Sequence, residues 1–195
     1  MSLASRAGDL FYSYRFVKLL TTPWEETDAY RLGLIDNQGK RDKREKLDSP
    51  ERKSAYTPFV RLVFNVKRLL QKVPGGDRTL SSYAAALFLL KEHFDASDKS
   101  INKIIQESQL DVLDFLEEES KWYLLEDGQL SPGVYRLKNE KLLAESLEEM
   151  VNAKDQVRVL EDAYPIGDVA GVNIYEAKHL KTSKKVFISV GELIK

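Results

Sequence analysis

The spacing of apolar residues predicts helices over the first 120 positions. Apolar side chains recur three or four positions apart over residues 9–20, which predicts a helix with a broad apolar face. A short second helix is expected to begin at Thr22-Pro23, with Thr22 as its cap, and to end before Gly33. The residues that follow predict a turn or small hairpin over 34–40 and then a solvated loop over 40–53, where almost every residue is polar.

The clearest amphipathic pattern follows Thr57-Pro58. The same pattern of a potential cap followed by proline occurs eight residues earlier, at Ser49-Pro50. The two together predict either a kinked helix or two consecutive helices, because proline is favoured at a helix start and disfavoured in its interior. Apolar residues from Phe59 to Val73 share one face of the predicted helix. The opposite face carries four polar residues, namely Arg61, Asn65, Arg68 and Lys72.

The next helix is predicted over 78–94 and is apolar on all sides. Three successive alanines, at positions 84–86, would let neighbouring elements approach it closely, so we expect a central, buried helix. Two shorter amphipathic helices are predicted over 98–106 and 111–118.

After Ser120 the pattern changes from helical to alternating, which predicts β-strands. A hairpin is expected between 122–125 and 133–137, and a short helix over 141–150. Further strands are predicted at 157–160, 173–177 and 185–190, the last two joined by a turn at 181–184. The predicted fold class is α+β, with a helical domain over 1–120 and a small β-rich domain over 121–195, for which a Src-homology-3-like barrel is one suitable architecture.

Composition narrows the class of protein. The 195 residues are 43% hydrophobic and 31% charged, as in soluble globular domains. The chain has no cysteine, so disulfides, thiolate nucleophiles and cysteine-ligated metals are excluded. No signal-peptide pattern or membrane-length apolar run is present, and we therefore expect neither export nor a membrane partner.

The charges are unevenly distributed. Residues 1–100 hold 18 Lys and Arg against 13 Asp and Glu, whereas residues 101–195 hold 12 against 18. Positive charge is concentrated over 40–78, where a loop and a helix face could follow a phosphate backbone, although a solubilising surface is the alternative interpretation. The candidate contacts to nucleic acid or a partner are Lys40, Arg41, Lys43, Arg44, Arg61, Arg68 and Lys72.

Signals for catalysis are weak. His93 is expected near a helix end and His179 beside a turn, exposed to solvent, and neither has a second metal ligand at a suitable spacing. The segment Pro74-Gly75-Gly76-Asp77 predicts an interhelical turn, because no Lys-Ser/Thr follows as in a phosphate-binding loop. Four carboxylates over 111–118 predict a solvated acidic face. We therefore expect no enzyme activity, no cofactor and no metal.

Four segments carry a resemblance to a known family. They are 10–39, which begins Leu-Phe-Tyr-Ser-Tyr-Arg-Phe, 55–76, which begins Ala-Tyr-Thr, 81–92, which begins Ser-Ser-Tyr, and 174–193, which begins Ile-Tyr-Glu-Ala-Lys-His. In these segments the chain resembles a family of uncharacterised proteins from tailed double-stranded-DNA bacteriophages. The resemblance implies a virion structural or assembly protein made in the host cytoplasm, and it transfers no functional residue.

Two functions are therefore expected. The first is a non-enzymatic virion or assembly protein that contacts other phage structural proteins, or further copies of itself, through surface aromatic and charged residues. Tyr12, Trp24, Tyr30, Trp122 and Tyr164 are candidates for such contacts, or else they cap the two cores. The alternative is a nucleic-acid-binding accessory factor for replication, recombination or packaging, which would use the basic loop and helix.

Overall fold

The computed structural model describes residues 3–72, 80–108 and 123–194. Within these residues helices are followed by a curled antiparallel sheet that forms a half-barrel, which confirms the α+β class. The chain divides into two compact units, Met1–Lys72 and Val73–Lys195. The described α-helices are α1 (Leu3–Thr21), α2 (Asp28–Arg31), α3 (Pro50–Ala55), α4 (Pro58–Lys72), α5 (Leu80–Phe94) and α6 (Asp98–Glu107).

In the first unit, local side-chain hydrogen bonds mark where the helices begin and end. The hydroxyl of Thr22 donates to the carbonyl of Lys18 at 2.6 Å, so Thr22 closes α1 and is not the predicted cap of the next helix. A short 3₁₀ helix, Trp24–Glu26, comes next. The cap of α2 is Thr27, whose Oγ1 accepts from the backbone N–H of Tyr30 at 3.2 Å.

The proline at position 58 separates two helices. Oγ of Ser49 accepts from the backbone N–H of Arg52 at 3.1 Å and starts α3. Oγ1 of Thr57 accepts from the N–H of Val60 at 3.3 Å and starts α4. The two-helix alternative is therefore the one the chain adopts, since each start has its own proline and side-chain cap.

The core of the first unit is built around Trp24. Its ring lies 5.2 Å from that of Phe64, and the turn at Gly39 packs against the indole so closely that a Cβ there would overlap it. The ammonium of Lys67 lies 4.1 Å from the centroid of the Trp24 ring and donates to the carbonyl of Thr22. Burial lowers the pKa of this lysine. Lys67 therefore connects α4 to the backbone directly after the end of α1.

The second unit holds the sheet. Its strands are β1 (Gly133–Leu137), β2 (Lys141–Leu142), β3 (Met150–Val151), β4 (Gln156–Val159), β5 (Gly167–Val169), β6 (Val172–His179), β7 (Lys185–Ile188) and β8 (Leu193–Ile194). Six of these strands form one antiparallel sheet. Its order is β5-β6-β4-β1-β8, and β7 also pairs with β6. A separate hairpin of β2 and β3 touches β7 through a bridge between Leu143 and Val186.

Two predictions about the secondary structure of this unit are wrong. Residues 141–150 form the β2–β3 hairpin instead of a helix, because Lys141 to Ala144 are all buried, which a one-sided surface helix does not allow. Strand β1 pairs with β4 and β8, whereas Leu124 bridges Leu130 across a local turn. The predicted β6–β7 hairpin around 181–184 is confirmed.

Helix α5 covers the sheet and is buried as predicted. It packs against β5, β6 and β7, with the ring of Phe88 5.2 Å from that of Phe187 in an edge-to-face arrangement. The alanines at 84–86 are all buried. Gly167 lies against Phe88, where a Cβ would come within 2.7 Å of the ring. This close approach explains why glycine stands at the start of β5.

The predicted domain boundary at residue 120 lies outside the described residues. In the structure, α5 and α6 belong to the same compact unit as the sheet. The division into 1–120 and 121–195 stays a prediction, as does the Src-homology-3-like architecture.

Candidate protein-binding groove

A groove of about 400 Å³ lies on the half-barrel of the second unit. One wall is the loop of residues 160–166, between β4 and β5, and the other is the β6–β7 hairpin. The groove is lined by Glu145, Leu160, Asp162, Ala163, Tyr164, Ile166, Glu176, Ala177, Lys178, Ser183 and Lys185. Its volume lies within the range of about 300–1,000 Å³ that is usual for ligand sites.

Three apolar side chains in this groove are exposed to solvent. Leu160 is 53% exposed, Tyr164 is 49% exposed and Ile166 is 46% exposed. They lie within seven residues of one another on a single loop. A cluster of large apolar side chains beside a groove is typical of a surface that binds another protein.

The loop that carries these residues is held by neighbouring residues. The hydroxyl of Tyr164 donates to Oδ2 of Asp127 at 2.8 Å, and this bond raises the pKa of the tyrosine. The N–H of Leu130 donates to the carbonyl of Ala163 at 2.9 Å, and the amide of Gln129 donates to the carbonyl of Glu161. The groove is therefore formed before any partner arrives, which lowers the entropic cost of binding.

The charged side chains of the groove have both signs. Glu145, Asp162 and Glu176 are acidic, and Lys178 and Lys185 are basic. The ammonium of Lys185 lies 2.8 Å from the carboxylate of Glu176, and this bond raises the pKa of the lysine. Apolar side chains between charges of both signs suit a mixed polar and apolar protein surface.

The groove was not predicted, although the sequence carries a signal for it. Strand β4 alternates between exposed and buried positions, so Leu160 falls on the exposed side directly after it. A large apolar residue on the polar face of a strand is the unusual feature that could have marked the surface. Of the aromatic residues predicted as contacts, Tyr164 lies in the groove, Trp24 is buried in the first core, and Trp122 lies outside the described residues.

Several of the predicted basic residues that the structure describes contact groups of the first unit itself. Arg41 donates to the carbonyls of Leu34, Asp42 and Glu45 and lies 5.2 Å from the Tyr56 ring centroid. Its guanidinium therefore holds the first part of the loop, residues 41–45, against the backbone of Leu34, whereas residues 50–53 of the predicted loop belong to α3.

Other candidate arginines also contact groups of the first unit. Arg44 donates to both carboxylate oxygens of Asp42, at 3.0 and 2.8 Å, and lowers the pKa of Asp42 to about 2. Arg61 lies 5.3 Å from the Tyr56 ring centroid and donates to the Tyr56 carbonyl at 3.3 Å. Part of the positive charge of this region is therefore bound within the first unit, by a carboxylate at Arg44 and by a backbone carbonyl at Arg61.

The remaining candidates are distributed as follows. Lys40 and Arg68 line one depression, together with Trp24, which was predicted as an aromatic contact, and with three residues that were not predicted, Asn37, Gln38 and Gln71. Lys43 is exposed on the loop. The side chain of Lys72 lies outside the described part of the structure, as do the predicted turn at 74–77 and the acidic face of 111–118.

The two histidines lie in different surroundings. His93 is exposed near the end of α5, as predicted, with Nε2 2.9 Å from the carbonyl of Ala144. The prediction that His179 is exposed is wrong. The end of β6 carries His179 into the interior, where its ring lies between Asp155 and Thr182.

Over residues 3–72, 80–108 and 123–194, no group of three or more His, Asp and Glu side chains could hold a metal ion. None of the helices described is long and apolar enough to cross a membrane. Comparisons with models of protein families, with curated proteins and with solved structures found no match.

Proposed function

We propose that this chain is a non-enzymatic bacteriophage virion or assembly protein, and that it binds a neighbouring protein through the groove of its second unit. The observation that supports this most directly is the exposure of Leu160, Tyr164 and Ile166 along that groove. Each of these side chains is about half exposed, so covering it against a partner would contribute about half of the roughly 1.5–3 kcal/mol that full burial of an apolar side chain provides.

The partner surface that suits this groove presents an apolar side chain between polar groups of both signs. The apolar part would cover Leu160 and Ile166, and the polar part would meet Lys178 and Asp162. The bond between Tyr164 and Asp127 fixes the position of the tyrosine ring in the groove before binding. Rigid aromatic anchors of this kind are common at the centre of protein interfaces.

The phage assignment rests on the resemblance inferred from the sequence of four segments, since the comparisons with known proteins found no match. In this proposal the chain is made in the host cytoplasm and joins the particle during assembly. Its contacts are with other phage structural proteins or with further copies of itself.

Photocrosslinking tests the groove. A photoreactive amino acid is placed at position 166 in the full chain, in cells that produce the phage. The matched control places it at position 134, where Val134 is similarly exposed, at 44%, but does not line the groove. We expect a discrete crosslinked product from position 166 that contains a second phage protein or a second copy. Equal products from both positions, or none from position 166, would contradict the proposal.

A further inference from the structure

A second depression, of about 540 Å³, lies in the first unit and differs in chemistry from the groove. It is lined by Trp24, Asn37, Gln38, Lys40, Arg68 and Gln71. Two of these side chains are cationic, three carry amides, and none of the described lining residues is a carboxylate. Such a set of donors suits an anion with several acceptor oxygens.

We propose that this depression binds the phosphodiester backbone of a nucleic acid. The proposal rests on residues of the first unit alone, and it does not depend on the protein-binding groove. The nucleic acid expected as an alternative partner from the sequence would bind at this one depression. Two of the seven candidate cations, Lys40 and Arg68, line it.

The turn that carries Lys40 is fixed by its own hydrogen bonds. Oδ1 of Asp36 accepts from the backbone N–H groups of Gln38 and Lys40, at 2.9 and 2.8 Å. A bridge between Ile35 and Arg41 closes the hairpin behind this turn. Lys40 and Gln38 are consequently held at the rim of the depression, while the Asp36 carboxylate is directed to the backbone.

Helix α4 supplies the opposite side. Arg68 lies on its outer part, where it donates to Oδ1 of Asn65 at 3.3 Å. Gln71, one residue before the helix ends, accepts from Nε1 of Trp24 through Oε1 at 3.0 Å. Because its oxygen faces the indole, the side-chain amide of Gln71 retains N–H groups that can donate to a phosphate oxygen.

The surroundings favour backbone contact over base recognition. Trp24 is only 6% exposed and packs against Phe64 and Gly39, so it offers no open face for a base to stack on. Residues 1–72 hold 15 Lys and Arg against 9 Asp and Glu, and this local excess of positive charge favours an anion at the surface of this unit. We infer binding that depends on charge and salt but is indifferent to base sequence.

Fluorescence anisotropy tests the inference on the full chain, with labelled DNA of 20 nucleotides per strand as the probe. The variant Lys40→Gln with Arg68→Gln removes both cations of the depression. The control, Lys43→Gln with Lys46→Gln, removes the same charge from exposed loop positions that do not line it. We expect the first variant to bind duplex DNA about tenfold or more weakly and to lose about 1.8 from the slope of log K against log salt, since each phosphate contact contributes about 0.9. The control should change affinity by less than about threefold.

A third variant, Gln38→Glu, places a negative charge at the rim without disturbing α4. It should weaken binding by a similar factor, with an unchanged circular dichroism spectrum. Duplexes of different base composition should bind alike, and single strands should bind no more tightly than duplexes. The inference is wrong if the unmodified protein shows no binding at about 50 mM salt, if the control variant loses as much affinity as the first, or if affinity follows base composition.

Discussion

In the second unit, Nε2 of His179 lies 3.2 Å from Oδ2 of Asp155, and both side chains are buried. The other ring nitrogen of His179 is 2.8 Å from Oγ1 of Thr182. The same carboxylate accepts from the N–H of Asn152 at 3.1 Å and from the ammonium of Lys181. Asp155 thus ties the β6–β7 turn to the turn before β4.

This arrangement predicts acid sensitivity. The hydrogen bond from Lys181, with weaker contributions from Asn152 and His179, lowers the pKa of Asp155 below its ordinary value of 3.8. A carboxylate with a lowered folded-state pKa stabilises the protein above the unfolded value, and that stabilisation is lost as the pH falls through the folded value. Asp155→Asn should therefore reduce the free energy of unfolding near pH 7 by about 1–3 kcal/mol.

Urea unfolding near pH 7 and near pH 3 measures this effect. The difference between the unmodified protein and Asp155→Asn should shrink at the lower pH. Asp162→Asn, at an exposed carboxylate, is the control and should change little at either pH. A deficit for Asp155→Asn that is the same at both pH values would contradict the role assigned to its charge.

The contact between Gly167 and Phe88 predicts a steric effect. In Gly167→Ala the new methyl group would lie 2.7 Å from the Phe88 ring, so the variant should be destabilised by about 1–3 kcal/mol. Adding Phe88→Leu should recover part of this loss, because the smaller side chain makes room. Thermal unfolding of both single variants and of the double variant tests this, and strictly additive losses would show that the two residues do not clash.

Arg41 is predicted to act in the folding of the first unit. Its guanidinium reaches three backbone carbonyls and the Tyr56 ring, a geometry that the single ammonium of lysine cannot reproduce. Arg41→Lys should cost about 1–3 kcal/mol although the charge is kept. Lys43→Ala, which removes a charge at an exposed position nearby, should be close to neutral in the same chemical denaturation experiment. Equal effects would mean that net charge, and not the hydrogen bonds, is important here.

The buried alanines of α5 give a further prediction. Ala85 is 2% exposed, so Ala85→Leu has no space for three more carbon atoms and should lower stability by about 1–3 kcal/mol. Arg44→Ala removes only an exposed ion pair with Asp42 and should be nearly silent. An unchanged melting temperature for Ala85→Leu would show that α5 tolerates larger side chains than its burial indicates.

Local patterns predicted much of this fold. Helices α1, α4, α5 and α6 follow from the spacing of apolar residues, and the starts of α3 and α4 follow from a cap beside a proline. The pairing of β1 with β4 depends on contacts between residues 20 to 26 positions apart, which no local pattern contains. The turn-forming residues 126–128 instead favoured residues 122–125 as the partner of β1, which is wrong.

The buried charges could not be predicted for a related reason. Lys141 is buried because Glu192, far along the chain, accepts a hydrogen bond from its ammonium. His179 is buried because Asp155 and Thr182 surround its ring. A charged or polar residue is normally placed at the surface, and only the folded structure reveals a partner that stabilises it inside.

Quantitative mass spectrometry of purified virions tests the central claim most directly. The full chain and the variant Leu160→Ser with Ile166→Ser are produced in turn by the phage, with Leu125→Ser and Val134→Ser as an equally exposed control pair outside the groove. We predict that the unmodified chain and the control are present in a fixed ratio to the major virion proteins, and that the groove variant is strongly depleted although it accumulates normally in the cell. Absence of the unmodified chain from the particles would contradict the proposed virion role, and full incorporation of the groove variant would contradict the role of the groove.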